Sequence, residues 1–220
     1  MTLVLAMNLV MFAGALAGMV YTVRNLFLPR KALYLQMIGF GIGCLMFGRL
    51  FSVIYLLTQG DLNYGFHLGL LGIMGSFMFF LSANYGQMDG LVDDKSKAFR
   101  ATRIKALLVP AVIVVLFLLL GYLCRDRRIW IAALLVVIFM VPASYYNFKH
   151  IIIYDVDLGI IRTMKQYNIL AVVYAFLILF ELYGRYLNIV PLYIAVCIGS
   201  GLVSAAIPPI AKGGAEKWTI

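Results

Sequence analysis

A chain of 220 residues that is 64% hydrophobic and only 12% charged, with a mean hydropathy of +0.99, is too apolar for a soluble globular domain. Its formal charge of +9 does not indicate nucleic acid, because the basic residues stand at the ends of apolar runs, where they set membrane topology. Cys44, Cys124 and Cys197 show neither CxxC nor metal-ligand spacing, so neither a disulfide framework nor a zinc site is indicated.

A spanning helix takes about 20 residues, and apolar runs of that size follow one another along the chain. The first, over 2–22, resembles a signal peptide in its Ala15-Leu16-Ala17 triplet but lacks a basic leader, so it reads as a retained helix. Arg24, Arg30 and Lys31 follow it. The second, 32–58, contains Gly39, Gly41 and Gly43, small residues that let helices approach closely, and has Arg49 toward its far end. A turn at Gln59, Gly60, Asp61 and Leu62 leads to the third, 64–87, with Tyr64 and His67 near its start and Gly69, Gly72 and Gly75 on one stripe.

The segment DGLVDDKSKAFRATRIK that follows is the most charged of the chain. Asp93 and Asp94 would suit a magnesium-holding transferase only with a second carboxylate cluster, which is missing, so they read as a solvated helix start. The fourth span, 106–123, ends at CRDRRIW, which holds Arg125, Arg127 and Arg128. The fifth, 129–147, runs into NFKHIIIYDVDLGIIRTMKQY, where isoleucines at near-helical spacing among charges predict an amphipathic juxtamembrane element. The sixth, 167–187, carries Glu181 inside its apolar run, and the seventh, 189–207, is expected to stop at Pro208 and Pro209.

These runs predict one all-α domain, a polytopic seven-transmembrane bundle in the plasma membrane. Basic residues concentrate in the first, third and fifth loops and the C-terminal tail, which places the N-terminus outside and the C-terminus inside. A faint internal echo, Tyr21 to Arg24 then Gln36 against Tyr146 to Lys149 then Gln166, suggests three helices, a linker helix and three more, as in small transporters.

Glu181 is the residue that most needs explaining, because an ionised carboxylate in hydrocarbon costs roughly 3 kcal/mol on insertion scales and requires a partner or a cavity. Arg185 stands one turn on, in the favourable order for an i,i+4 pair. A rise of about 1.5 Å per residue puts Arg49 at the same level, where it either meets Glu181 or snorkels to the interface. Tyr174, Glu181 and Arg185 share one face of the sixth helix, and Tyr64 and His67 one face of the third. The expected ligand-binding set is therefore Arg49, Tyr64, His67, Tyr174, Glu181 and Arg185, with Arg125 on the rim. Guanidinium forks would favour an anionic small molecule or lipid headgroup.

The leading functional expectation is a sensor or receptor-like protein that passes its signal to a cytoplasmic or membrane partner protein, since the chain shows no effector domain of its own. A small solute or ion transporter is the alternative and a membrane-embedded enzyme the third. No nucleophile and base stand at motif spacing, and His67 and His150 fall toward opposite faces, so no haem, metal or other cofactor is expected. Beyond the bilayer and these partners, no nucleic acid is expected.

Overall fold

The computed structural model describes residues 3–28, 31–60, 62, 65–90, 93, 96–123, 127–153 and 160–218, leaving aside the side chains of 87, 160–163 and 218. Among them there is helix and no strand. The helices are α1 (Leu3–Thr22), continued by a π turn (Val23–Phe27), α2 (Leu33–Gln59), α3 (Leu68–Ala83), continued by a second π turn (Asn84–Asp89), α4 (Arg100–Ala106), α5 (Leu108–Leu123), α6 (Arg127–Ile152), α7 (Ile160–Tyr186) and α8 (Val190–Trp218). With α4 and α5 forming one span, seven helices among the described residues are long and apolar enough to cross a membrane, which suggests a multi-pass membrane protein.

Local chemistry sets several boundaries. Gly60 ends α2 at φ 79°, and its N–H donates to the Leu56 carbonyl, the left-handed cap that glycine adopts without a Cβ penalty. Asn188, at φ 54°, makes the short turn from α7 to α8, and the Ile189 N–H closes it on the Gly184 carbonyl at 3.0 Å. Pro110 lies in the first turn of α5, where its missing N–H costs little.

Helices α1, α2, α3, α6, α7 and α8 close a ring in chain order, with α8 returning to α1, while α4 and α5 lie outside against α6. Trp130 of α6 stacks on Phe117 of α5 at 5.4 Å, and the Tyr183 hydroxyl of α7 donates to the Leu116 carbonyl of α5. The ring order makes α1 and α8 parallel neighbours, as are α3 and α6.

Glycine permits two of the closest crossings. A Cβ on Gly72 would stand 2.4 Å from the Cys44 carbonyl oxygen and 2.6 Å from the Gly48 Cα, and one on Gly14 would stand 2.1 Å from the Gly201 carbonyl oxygen. The middle of the ring is filled by Ile38, Ile42, Leu45, Phe77, Phe80, Tyr167 and Tyr174. The end with the start of α1, Gly60 and the α7–α8 turn is called upper below, and the end with the two π turns lower.

Three sequence expectations are corrected. Pro208 and Pro209 do not end the last span, because α8 runs on to Trp218. Two interior prolines remove two N–H donors, at about 3 kcal/mol or more for each in an isolated helix. The continuation is held by burial of Ile207, Ala211 and Ala215, by Lys212 donating to Asn25 Oδ1 at 3.2 Å, and by the Lys31–Glu216 ion pair at 3.8 Å. Asp93 is a buried ion-pair partner, not a solvated helix start: its N–H donates back to the Asp89 carbonyl at 2.9 Å, and the next helix of the described residues opens at Arg100. The juxtamembrane segment is divided: its first residues through Ile152 belong to α6 and those from Ile160 to α7. Asp94 and residues 154–159 lie outside the described residues.

Candidate functional site

Arg49 points from α2 into the ring and meets Glu181 from α7 in a two-pronged bond, Nη1 to Oε1 at 2.8 Å and Nη2 to Oε2 at 2.6 Å. Arg49 is 6% exposed, so it is held within the bundle and does not snorkel to the interface. The planar fork matches the carboxylate, offsetting part of the desolvation that burying both ions requires. Tyr174, buried two turns below Glu181 on α7, presents its hydroxyl to the same guanidinium. Its ring lies 6.0 Å from that of Phe77, which joins the ion pair to the aromatic core.

A cavity of about 30 Å³ adjoins the pair, with polar lining from Asn8, Arg49, Ser52, His67, Glu181 and Arg185. That is room for about one water molecule. His67, the residue before α3, contributes an Nδ1 that has no hydrogen-bond partner among the described residues. Arg185 donates to the Leu62 carbonyl at 3.0 Å, which ties α7 to that residue beside the cavity, and lies 5.9 Å from the Tyr186 ring centre.

Of the expected site residues, Arg49, Tyr174, Glu181, His67 and Arg185 come together at the upper end. Tyr64 and Arg125 lie outside the described residues. Asn8 and Ser52 were not anticipated. Ser52 stands three residues after Arg49 and so shares its face, a signal available in the sequence. Asn8 carried a weaker one, as the first polar residue inside an apolar helix.

A second charged assembly lies at the lower end, where the sequence predicted a solvated helix start and an amphipathic juxtamembrane element. Lys149, 2% exposed on α6, donates to Asp89 Oδ1 and to Asp93 Oδ2, both at 2.6 Å. Arg103 of α4 donates to Asp93 Oδ1 at 2.8 Å and to the Ser96 carbonyl at 2.6 Å. His150, fully buried, lies 3.0 Å from Asn84 Oδ1 and 3.2 Å from Asp89 Oδ1. Burial acts to raise the Asp89 carboxyl, but bonds from His150 and Lys149 outweigh it and hold the group below its ordinary value.

The π turn makes this arrangement possible. On an α-helix, residues five apart diverge by about 140° around the axis. A π turn closes its hydrogen bonds between residues five apart, so Asn84 and Asp89 can address the same imidazole. Among the described residues, no group of three His, Cys, Asp or Glu side chains is placed to hold a metal ion. Compared with protein-family models, curated proteins and solved structures, the chain finds no match.

Proposed function

We propose that the protein is a seven-helix sensor of the plasma membrane, upper end outward, that takes a small anion on Arg49. The orientation is supported by the excess of basic residues in the first, third and fifth loops. The single observation that carries the reading is the forked Arg49–Glu181 bond beside a small polar cavity. Arginine grips carboxylates and phosphates alike, so an anion arriving through the cavity competes with Glu181 for the same fork. Because the cavity has room for only about one water, binding requires that exchange. Release of Glu181 uncouples α7 from α2, and that difference between the bound and resting states is what a partner protein would read.

Below the cavity the ring is filled by Phe77, Phe80, Tyr167 and Tyr174, which favours a closed pocket over a path through the bundle. Transport is the second reading, favoured by the two parallel junctions of the ring, α1 with α8 and α3 with α6.

Thermal unfolding in detergent with acetate or inorganic phosphate tests the sensor reading. Anions should stabilise the wild type, should do so more strongly in Glu181→Gln, where the internal competitor is gone, and should have no effect in Arg49→Gln. Equal responses of all three proteins would rule out Arg49 as the anion site. Anion flux into proteoliposomes by the wild type would favour transport instead.

A further inference from the structure

At the lower end, hydrogen bonds determine where a proton must be. Asn147 donates through Nδ2 to the Ala143 carbonyl at 2.7 Å, which turns its Oδ1 toward Asn84. Asn84 donates through Nδ2 to that oxygen at 2.7 Å and therefore offers its own Oδ1 to His150. His150 Nδ1, 3.0 Å from an oxygen that can only accept, must carry a hydrogen. The other ring nitrogen, Nε2, lies 3.2 Å from Asp89 Oδ1. A neutral imidazole protonated at Nδ1 would turn a lone pair toward a carboxylate oxygen, an unmade bond in a buried place.

We infer that the junction of α3 and α6 is a proton-binding site, in which His150 Nε2 and Asp89 Oδ1 share one proton whose loss loosens the lower end of the bundle. The described charged groups around it are Asp89 on the π turn, Asp93 in the following connection, Arg103 on α4 and Lys149 on α6. Tyr85 and Tyr146, with rings 5.0 Å apart, and Tyr145 stand at its edge. Among the described residues two carboxylates and two fixed cations balance, so the shared proton adds a positive charge to them. Those charges balance without the proton, whereas the bond between Nε2 and Oδ1 is made only with it. Those opposed demands make the proton exchangeable instead of permanent.

Asn84 fixes the hydrogen on Nδ1, and the shared proton lies between Nε2 and Oδ1. When it leaves, Asn84 keeps the Nδ1 hydrogen in place, so the bare Nε2 faces Asp89. Relief comes by moving Asp89, at the end of the π turn, away from α6. The site shares no residue with the anion pocket, so either reading can fail alone.

The chain has two histidines, so His67→Gln leaves His150 as the only imidazole. Nitrogen NMR of this variant, labelled at histidine, should show hydrogens on both ring nitrogens at neutral pH. A carboxylic-acid infrared band that disappears in Asp89→Asn would place the same shared proton on the carboxyl side and also support the site. An Nε2 without hydrogen, together with no such band, would overturn it. The loosening is read by hydrogen exchange over residues 84–90. Protection there, corrected for the intrinsic pH dependence of exchange, should fall in the wild type as pH rises and should be low at every pH in His150→Gln. Equal, pH-independent protection in both would overturn the coupling, and the NMR result decides the site even where His150→Gln does not fold.

Discussion

The two charged regions of the bundle are built on opposite plans. At the upper end one cation meets one anion across the ring in a single forked bond. At the lower end, among the described residues, Asp89 is shared by Lys149 and His150, and Asp93 by Lys149 and Arg103. A pair is all or nothing, whereas a network loses one member and keeps part of its compensation. The upper region is thus suited to a single exchange event, and the lower one to graded change.

Breaking the pair should have the largest effect. Arg49→Met leaves Glu181 buried without its partner and should cost about 3–5 kcal/mol of stability, read by denaturant or thermal unfolding in detergent. Adding Glu181→Leu should recover most of that loss, because no uncompensated charge remains. Lys149→Met should cost less, about 1.5–3 kcal/mol, since His150 and Arg103 still serve the two carboxylates. A loss equal to that of Arg49→Met would show that the lower network lacks the redundancy its geometry implies.

Arg185→Gln removes the bond to the Leu62 carbonyl and should cost about 1 kcal/mol. The smallest effect is confined to acid. The folded-state titration of Asp89 is depressed, so its contribution is present above the unfolded carboxylate value and is lost as pH falls through the folded one. Asp89→Asn should flatten that acid limb of an unfolding profile. Arg49→Met, which leaves Asp89 untouched, should retain it.

The pair was legible in the sequence because a carboxylate inside an apolar run demands company, and helical rise put Arg49 at its level. The choice of Arg49 over Arg185 was not legible, since it depends on how α2 and α7 face each other across the ring. The lower network escaped for a different reason. Asp89, Asp93, Lys149 and His150 stand where spans end, and charges there have the same appearance whether they meet water or one another. Proline misled at positions 208 and 209 because local propensity carries no account of the α1 packing and tail contacts that hold α8 together.

The π turn at Asn84–Asp89 carries one residue more than an α-helical path of the same hydrogen-bonded length. That surplus makes it a place where chain length and side-chain phase can be traded. Deleting a single residue there would restore ordinary pitch and leave its two ends four apart, a separation that an α-helix also places on one face, about 40° from alignment. The span would still read as apolar and long enough, and Asp89 would still fall on the face that meets His150. Loss of one residue at this turn can therefore be absorbed without disconnecting the lower network from α6, a kind of variation that substitution alone does not reach.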